Sequence, residues 1–175
     1  MLLPIEDALS SLFFSEGVPI DLSPDGEWVA YTLENPRRKE KADDERYSFF
    51  TRSGVRRLRV GCDLFLTNTL SGESRCLTEG EGSNWGPVWS PGGNTLAFYS
   101  DRSGQAGLWV WEKAADTLRQ VSDAIVRPFH GDEVVRWTPD SRKALCKVLP
   151  EGMTLEEGLS LIMGSRQEIS GEKEE

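Results

Sequence analysis

Residues 89–111 read WSPGGNTLAFYSDRSGQAGLWVW, and the opening of this stretch is repeated twice elsewhere in the chain. The other two copies are LSPDGEWVAYT at 22–32 and WTPDSRKALCK at 137–147. A sequence that returns at intervals of roughly 20–50 residues is typical of proteins built from stacked structural units. The repeat therefore decides the predicted architecture of this chain.

Each copy begins with a four-residue turn, at 23–26, 90–93 and 138–141. Proline at the second position of each turn presets the backbone angle φ, and glycine at the fourth position of the first two tolerates a positive φ. In the third copy Ser141 stands where the others have glycine. We therefore expect the third turn to be of another type or more strained.

A short strand is predicted after each turn, over residues 28–32, 95–100 and 143–148. Side chains alternate between the two faces of a strand, so Leu96 and Phe98 are expected on one face of the second strand. Ala97 and Tyr99 alternate with them and are expected on the other face. Because both faces are largely apolar, this sheet is expected to pack between neighbours on both sides.

A second repeat follows, because LFLTNTLSGESRCLT (64–78) aligns without gaps to LWVWEKAADTLRQVS (108–122). Each of these segments is predicted to form a strand, a polar turn and a second strand. One complete unit then has four antiparallel strands, which is the blade of a β-propeller. The predicted fold class is all-β: a partial β-propeller of four-stranded antiparallel blades, with short helices at the two ends.

The spacing of the two repeats locates an insertion. Pro24 and Pro91 are 67 residues apart, whereas Leu64 and Leu108 are 44 apart, so 23 extra residues lie between Thr32 and Asp63. We interpret this highly charged insertion as a long surface loop with a short hairpin of its own around residues 47–51. The alternative interpretation is a rim or lid segment that meets a partner or a substrate.

The predicted boundaries follow from these units. They are an N-terminal segment with a short helix (1–17), blade 1 (18–80) with the charged insertion (34–61), blade 2 (81–125), the start of blade 3 (126–152), and a short helix with a disordered acidic tail (153–175). The last helix is predicted to open with a capping box, Thr154 with Glu157. Gly158 should weaken that helix by about 1 kcal/mol relative to alanine.

Closure of the ring is the difficulty for this architecture. Propellers use roughly 4 to 8 blades, so two units and part of a third leave blade faces and strand edges uncovered. We therefore expect a fragment, a truncated gene product, or a chain that self-associates through its open blade edges.

Composition restricts the partners and the compartment. With 29 acidic and 20 basic residues, the formal charge of −9 argues against binding to nucleic acid or to anionic membranes. Cys62, Cys76 and Cys146 form no C-x-x-C pair, which fits a reducing compartment and buried or half-buried thiols. The N-terminus has no basic region typical of a signal peptide, so a cytoplasmic location is predicted, or a periplasmic one if a leader has been lost.

The segments SPDGEWVAYT, NWGPVWSPGGNTLAFYSDRSGQAGLWVW and RWTPDSRKALCKVLPEGM resemble the N-terminal propeller of prolyl-oligopeptidase-type serine peptidases, which include dipeptidyl and acylaminoacyl peptidases. The second segment is also similar to the blades of the Tol-system periplasmic propeller. The resemblance covers residues 18–152. It implies a propeller that caps an α/β-hydrolase domain and filters peptide substrates by size.

No catalytic residue can be transferred from that family. Its serine lies on a G-x-S-x-G turn, and this motif does not occur in the chain. His130 lies beside Asp132 and Glu133 and could form a metal or acid–base site, but an ordinary hydrogen-bonding loop residue explains it better. No cofactor and no metal site are predicted, and whether the chain is an enzyme is left undecided.

The candidate docking residues are four arginines of the insertion: Arg52, Arg56, Arg57 and Arg59. They could bind a carboxylate, such as a peptide C-terminus, by paired hydrogen bonds. The alternative is that they are solvated and pair with acidic neighbours at 43–45.

Three functional hypotheses follow. The first is a non-catalytic propeller segment of a peptidase, which gates or orients peptide substrates for a hydrolase domain absent from this chain. The second is a Tol-like binding module that acts through protein–protein contacts. The third is a remnant of a broken gene, without a role.

Overall fold

The computed structural model describes residues 11–15, 20–39, 49–128 and 134–162, which form three antiparallel sheets. The strands are β1 (Phe13–Phe14), β2 (Asp21–Leu22), β3 (Trp28–Glu34), β4 (Cys62–Asn68), β5 (Ser74–Cys76), β6 (Asn84–Trp89), β7 (Thr95–Ser100), β8 (Gly107–Glu112), β9 (Thr117–Gln120), β10 (Arg136–Trp137) and β11 (Ala144–Leu145). Helical backbone occurs at Pro36–Lys39, in a 3-10 turn at Arg57–Arg59, and over 155–162.

The first sheet, which we call blade 1, is built around β3. On one side β3 pairs with β4, which pairs with β5; on the other side it pairs with β1 and β2. The two short strands together hold the position of a single inner strand. The short helix predicted within residues 1–17 does not include Phe13 and Phe14, because both residues pair with β3; residues 1–10 lie outside the described part of the chain.

The second sheet, blade 2, contains β6, β7, β8 and β9 in sequential order. Its outer hairpin repeats that of blade 1, as predicted. The Leu77 N–H donates to the Leu64 carbonyl at 2.7 Å, and the Val121 N–H donates to the Leu108 carbonyl at 2.9 Å. The third sheet, β10 and β11, is the start of the third unit.

The three repeated turns share one geometry. The fourth residue has a positive φ in each: 73° at Gly26, 71° at Gly93 and 61° at Ser141. In each turn the N–H of the fourth residue donates to the carbonyl of the first, at 2.8, 2.8 and 2.9 Å. The third turn is therefore not of another type; it is the same turn, with a serine in a region of φ that disfavours residues other than glycine.

The core confirms the predicted alternation in β7. Leu96 and Phe98 pack against blade 1, in a cluster with Ala30, Leu64 and Leu66. On the opposite face, Ala97 and Tyr99 pack towards the third unit. Blade 2 is therefore covered on both faces.

The insertion departs from the prediction of a solvated surface loop over its described part. Phe50, Val55 and Val60 are buried. Phe50 packs with Leu159 of the C-terminal helix, while Val55 and Val60 pack with an alanine of blade 2. The predicted hairpin near 47–51 is a single bridge between Phe50 and Arg56, with 47 and 48 outside the described residues. Three arginines lie between Val55 and Val60, so the sequence of this segment is dominated by charge. For that reason its apolar residues gave no pattern that predicted a buried side.

The C-terminal helix begins as predicted. The Thr154 N–H donates to Glu157 Oε2 at 2.8 Å, and the Glu157 N–H donates to Thr154 Oγ1 at 3.3 Å. Gly158 has a packing role, because a Cβ there would lie 2.7 Å from Leu149 Cδ2. Among the described residues, no helix combines the length and apolar character needed to span a membrane.

Candidate binding cleft between the insertion and blade 2

A cleft of about 320 Å³ lies between the insertion and blade 2, and we call it the insertion cleft. Its wall residues come from two loops of the insertion and two loops of blade 2. They are Thr51, Arg52, Ser53, Val60, Ser83, Asp101 and Gly104. Most of these side chains are polar, so the cleft presents hydrogen-bonding groups.

Asp101, directly after β7, joins the two walls. One of its carboxylate oxygens accepts from Ser53 Oγ at 2.6 Å, and the other accepts from the Ser83 N–H at 2.6 Å. The Ala106 N–H also donates to the Ser53 carbonyl at 2.8 Å. Because these bonds cross from the insertion to blade 2, the walls are held in place before any ligand arrives.

The hydroxyl groups of the cleft are positioned by the same local structure. Thr51 Oγ1 lies 2.8 Å from Ser53 Oγ and accepts from the Val55 N–H at 3.1 Å. Ser53 Oγ donates its proton to the Asp101 carboxylate, so its oxygen keeps a lone pair that can accept from a ligand N–H. The geometry therefore suits hydrogen bonding to a polar ligand.

The predicted arginine cluster is divided by the fold. Arg52 is exposed and lines the insertion cleft. Arg56 and Arg57 are half-buried. Arg59 is only 2% exposed, and its Nη1 donates to Ser15 Oγ at 2.9 Å. A docking role for the cluster stays a prediction, and Arg52 lies at the insertion cleft.

The histidine, the cysteines and two of the tryptophans lie outside the wall of the insertion cleft as it is described. His130 and the acidic residues at 43–45 lie outside the described residues. Trp89 is buried between the blades, and Trp85 packs at the opposite face of blade 2. None of the three cysteines forms a disulfide with another described residue, and Cys62 is buried while the other two are half-buried, as predicted. Within the described ranges, no group of three or more His, Cys, Asp or Glu side chains is placed to hold a metal ion.

Sequence reasoning missed that the three turns touch one another along one edge of the sheets. A Cβ on Gly93 would lie 3.4 Å from Pro24 Cδ, and the Gly92 N–H donates to Ser141 Oγ at 2.8 Å. Lys113 Nζ lies 3.0 Å from Asp25 Oδ2. The pKa of Asp25 is lowered most by the hydrogen bond from the Ser23 hydroxyl. The hydrogen bonds from the Glu27 N–H and from Lys113 lower it further.

The comparisons by sequence point to a peptidase relative. No protein-family model matches the chain. It is 30% identical over 137 residues to an uncharacterised peptidase, YuxL, of Bacillus subtilis (strain 168), an alignment that covers 77% of this chain and 18% of the relative. It is 34% identical over 62 residues to an uncharacterised protein of Agrobacterium fabrum, covering 35% of this chain and 21% of that protein. The chain thus spans about a fifth of the length of either relative.

The comparisons by structure concern the fold. TolB from Acinetobacter baumannii matches with a TM-score of 0.51 at 13% identity, over 81% of this chain and 29% of that one. The acylaminoacyl peptidase of Pyrococcus horikoshii matches with a TM-score of 0.50 at 20% identity, over 78% and 17%. The fold is that of β-propeller blades. The resemblance to the peptidase and Tol-system propellers is confirmed at the level of the fold.

Proposed function

We propose that this chain is a non-catalytic propeller module that binds peptides, and that in a longer protein it gates or orients peptide substrates for a hydrolase domain. The observation that carries the proposal is the 30% identity to a peptidase over 137 residues. The aligned region is 18% of that relative. A segment of this size supports a module that serves a reaction carried out elsewhere in the protein.

The insertion cleft supports peptide binding. An extended peptide offers backbone N–H groups, and the Thr51 and Ser53 oxygens, whose protons are used within the protein, each keep a lone pair that can accept from them. Arg52, exposed at the same cleft, can pair with a peptide carboxylate through two parallel N–H bonds. The cleft therefore offers groups for both the backbone and one end of a peptide.

We also propose that a further propeller blade covers the second face of blade 1. Val29 and Tyr31 hold the positions that Leu96 and Phe98 hold in blade 2, yet they remain half-buried. Phe14, Tyr31 and Phe65 form a row of ring contacts on this face, with centroids 5.5 and 5.9 Å apart. The matching face of blade 2 packs on blade 1, so a blade is the occupant that fits.

The test is a peptide titration followed by NMR of the ¹⁵N-labelled chain. An octapeptide with a free C-terminus should shift the amide signals of Arg52, Ser53 and Asp101 saturably. The same peptide amidated at its C-terminus should bind more weakly, and Arg52→Gln should remove the difference. Arg119→Gln, an exposed arginine on β9, is the matched control. A folded chain whose cleft signals do not respond to the peptide would contradict the proposal.

The alternative function is a Tol-like module that binds a folded protein. The fold shared with TolB favours it. On this alternative, short peptides leave the cleft signals unchanged, whereas a folded partner protects amides of the blades from hydrogen exchange. In both cases the chain alone should release no product from chromogenic dipeptide substrates, and robust hydrolysis would overturn both. The cytoplasmic location remains part of the proposal.

A further inference from the structure

A second cleft, of about 240 Å³, lies between the outer strands of the two blades, and we call it the interblade cleft. It shares no lining residue with the insertion cleft. Arg102, whose side chain is only 10% exposed, lines this cleft. A buried cation at the wall of a cleft requires compensation, because its charge has lost most of its hydration.

The compensation of Arg102 within the protein is incomplete. Its guanidinium lies 5.2 Å from the ring centroid of Trp109, and its Nη2 donates to the Thr78 carbonyl at 3.1 Å. The carboxylate of Glu81 lies 3.8 Å from Nη1, on a side chain that is 75% exposed. The buried Nε–H has no hydrogen-bond partner among the described residues. A buried donor without an acceptor costs free energy, so the guanidinium is less well compensated than a fully paired one.

The other arginine of the cleft is already neutralised. Arg75 donates two hydrogen bonds to Asp116, at 3.0 and 2.6 Å, and lies over the Trp111 ring. These bonds raise the pKa of Arg75, and together with one from the Trp111 indole they lower the pKa of Asp116. Both groups stay charged and cancel each other, which leaves Arg102 as the arginine of the cleft whose compensation is incomplete.

The remaining charges of the cleft are negative and lie on its exposed side. Glu79 and Glu81 are exposed and line the cleft with Arg102. They would repel a simple anion on its way to the arginine. A ligand that carries a positive group next to its carboxylate would meet attraction at both places.

We propose that the interblade cleft binds a small zwitterion, with its carboxylate on Arg102 and its ammonium group towards Glu79 and Glu81. An α-amino acid is the simplest such molecule. The carboxylate adds a charge-assisted bond to the guanidinium, because Nη1 lies 3.8 Å from the Glu81 carboxylate and can take a closer acceptor. The inference does not depend on the proposed function, because it uses different residues and a different ligand group.

The test follows the Arg102 Nε–Hε signal in the ¹⁵N spectrum of the full chain. Glycine should shift this signal saturably. Glycinamide, which lacks the carboxylate, and N-acetylglycine, which lacks the ammonium group, should both bind more weakly. The absence of a saturable shift with glycine would overturn the proposal, and so would equal binding of glycinamide or of N-acetylglycine.

Two variants separate recognition from folding. Glu81→Gln changes an exposed side chain, so the fold should survive, and glycine binding should weaken by about twofold to fivefold. The same substitution should leave N-acetylglycine unaffected or bound slightly better. Glu112→Gln changes a half-buried carboxylate that pairs with Arg119 on blade 2; it is the control outside the cleft and should change nothing. Equal effects of the two substitutions would contradict a role for the Glu81 charge.

Discussion

Blade 1 and blade 2 are two copies of one sequence unit in different surroundings. In blade 2, Leu96 and Phe98 are fully buried. In blade 1 the same positions are held by Val29 and Tyr31, which are half-buried. The difference arises because blade 2 lies between two neighbours, whereas the described residues cover blade 1 on one face. In an array of repeats, the neighbour determines burial as much as the local sequence does.

The chemistry of the two faces follows the difference in surroundings. The Tyr31 hydroxyl lies 2.9 Å from Thr67 Oγ1, which in turn lies 2.7 Å from Ser74 Oγ. Phe98, at the equivalent position of blade 2, has no polar group to satisfy and packs in the interblade core. A half-exposed blade face can carry such a polar chain, while a fully buried one is apolar.

The largest expected effect is loss of the Phe98 ring. Phe98→Ala should lower the free energy of unfolding by about 3–5 kcal/mol, since it opens a cavity between the blades. Tyr31→Ala, at the equivalent position, should cost only about 1–2 kcal/mol because part of the ring is already in water. Urea unfolding of both variants measures the two losses. Equal losses would show that the two faces are buried alike.

The connection between the blades should be nearly as sensitive. Gly82, between β5 and β6, has a φ of 64°, and a Cβ there would lie 2.7 Å from the Arg102 backbone nitrogen. Gly82→Ala should therefore cost about 3 kcal/mol, from backbone strain and overpacking together. Gly80→Ala is the matched control: its φ is 81°, with open space at the Cβ, so only strain of about 1–2 kcal/mol is expected. Thermal unfolding measures both losses of stability. A larger loss for Gly80→Ala than for Gly82→Ala would contradict the described connection.

The turns differ between blades in their response to acid. Asp25 in the first turn has a lowered pKa, whereas Gly92 stands at the same position in blade 2. A lowered pKa in the folded state contributes stability above the ordinary pKa of about 3.9, and this contribution is lost as the pH falls below it. The stability difference between the natural chain and Asp25→Asn should therefore be largest near neutral pH and shrink on acidification.

The third turn offers a second test of the same pH dependence. Asp140 in the third turn also has a lowered pKa, because the Thr138 hydroxyl and then the Arg142 N–H donate to it. Asp140→Asn should show the same trend in urea unfolding at each pH. A difference that grows as the pH falls would contradict the assigned hydrogen bonds.

The smallest expected effect concerns ion pairs on the blade surface. Arg75 pairs with Asp116 across the two blades, whereas Arg119 pairs with Glu112 within blade 2. Arg75→Gln should cost about 0.5–1 kcal/mol, since the bond is bidentate and the guanidinium lies on Trp111. Arg119→Gln should cost close to nothing. Unfolding at low and high salt measures both losses of stability. A larger loss for Arg119→Gln than for Arg75→Gln would contradict this comparison.

The blades could be predicted because their signals are local. Proline and glycine specify the turns, and alternation of apolar residues specifies the faces of β7. At Ser141 the local signal was incomplete, since the tertiary structure imposes the repeated turn on a serine. The strand at Phe13 and Phe14 gave no signal in the sequence, because it forms by pairing with Glu34 and Leu33, which come 21 and 19 positions later.

The clefts could be predicted only in part. A run of arginines drew attention to Arg52, but its neighbours Ser83 and Asp101 come from separate loops with no motif of their own. Arg59 is buried and donates to Ser15, which is far away in the chain, so its position could not be predicted from the insertion alone. Arg102 and Glu81 are brought together by the junction of two blades, which no spacing in the sequence marks.

The most direct test of the blade arrangement is a set of NOEs between methyl groups and aromatic rings in the folded chain. Ala30, Leu64 and Leu66 of blade 1 should show NOEs to the rings of Trp89, Phe98 or Trp111 of blade 2, because these residues form one cluster. The Val29 methyl groups, on the alternate face, should show none to those rings. NOEs from Val29 to the rings of blade 2, with none from Leu64 and Leu66, would contradict the arrangement.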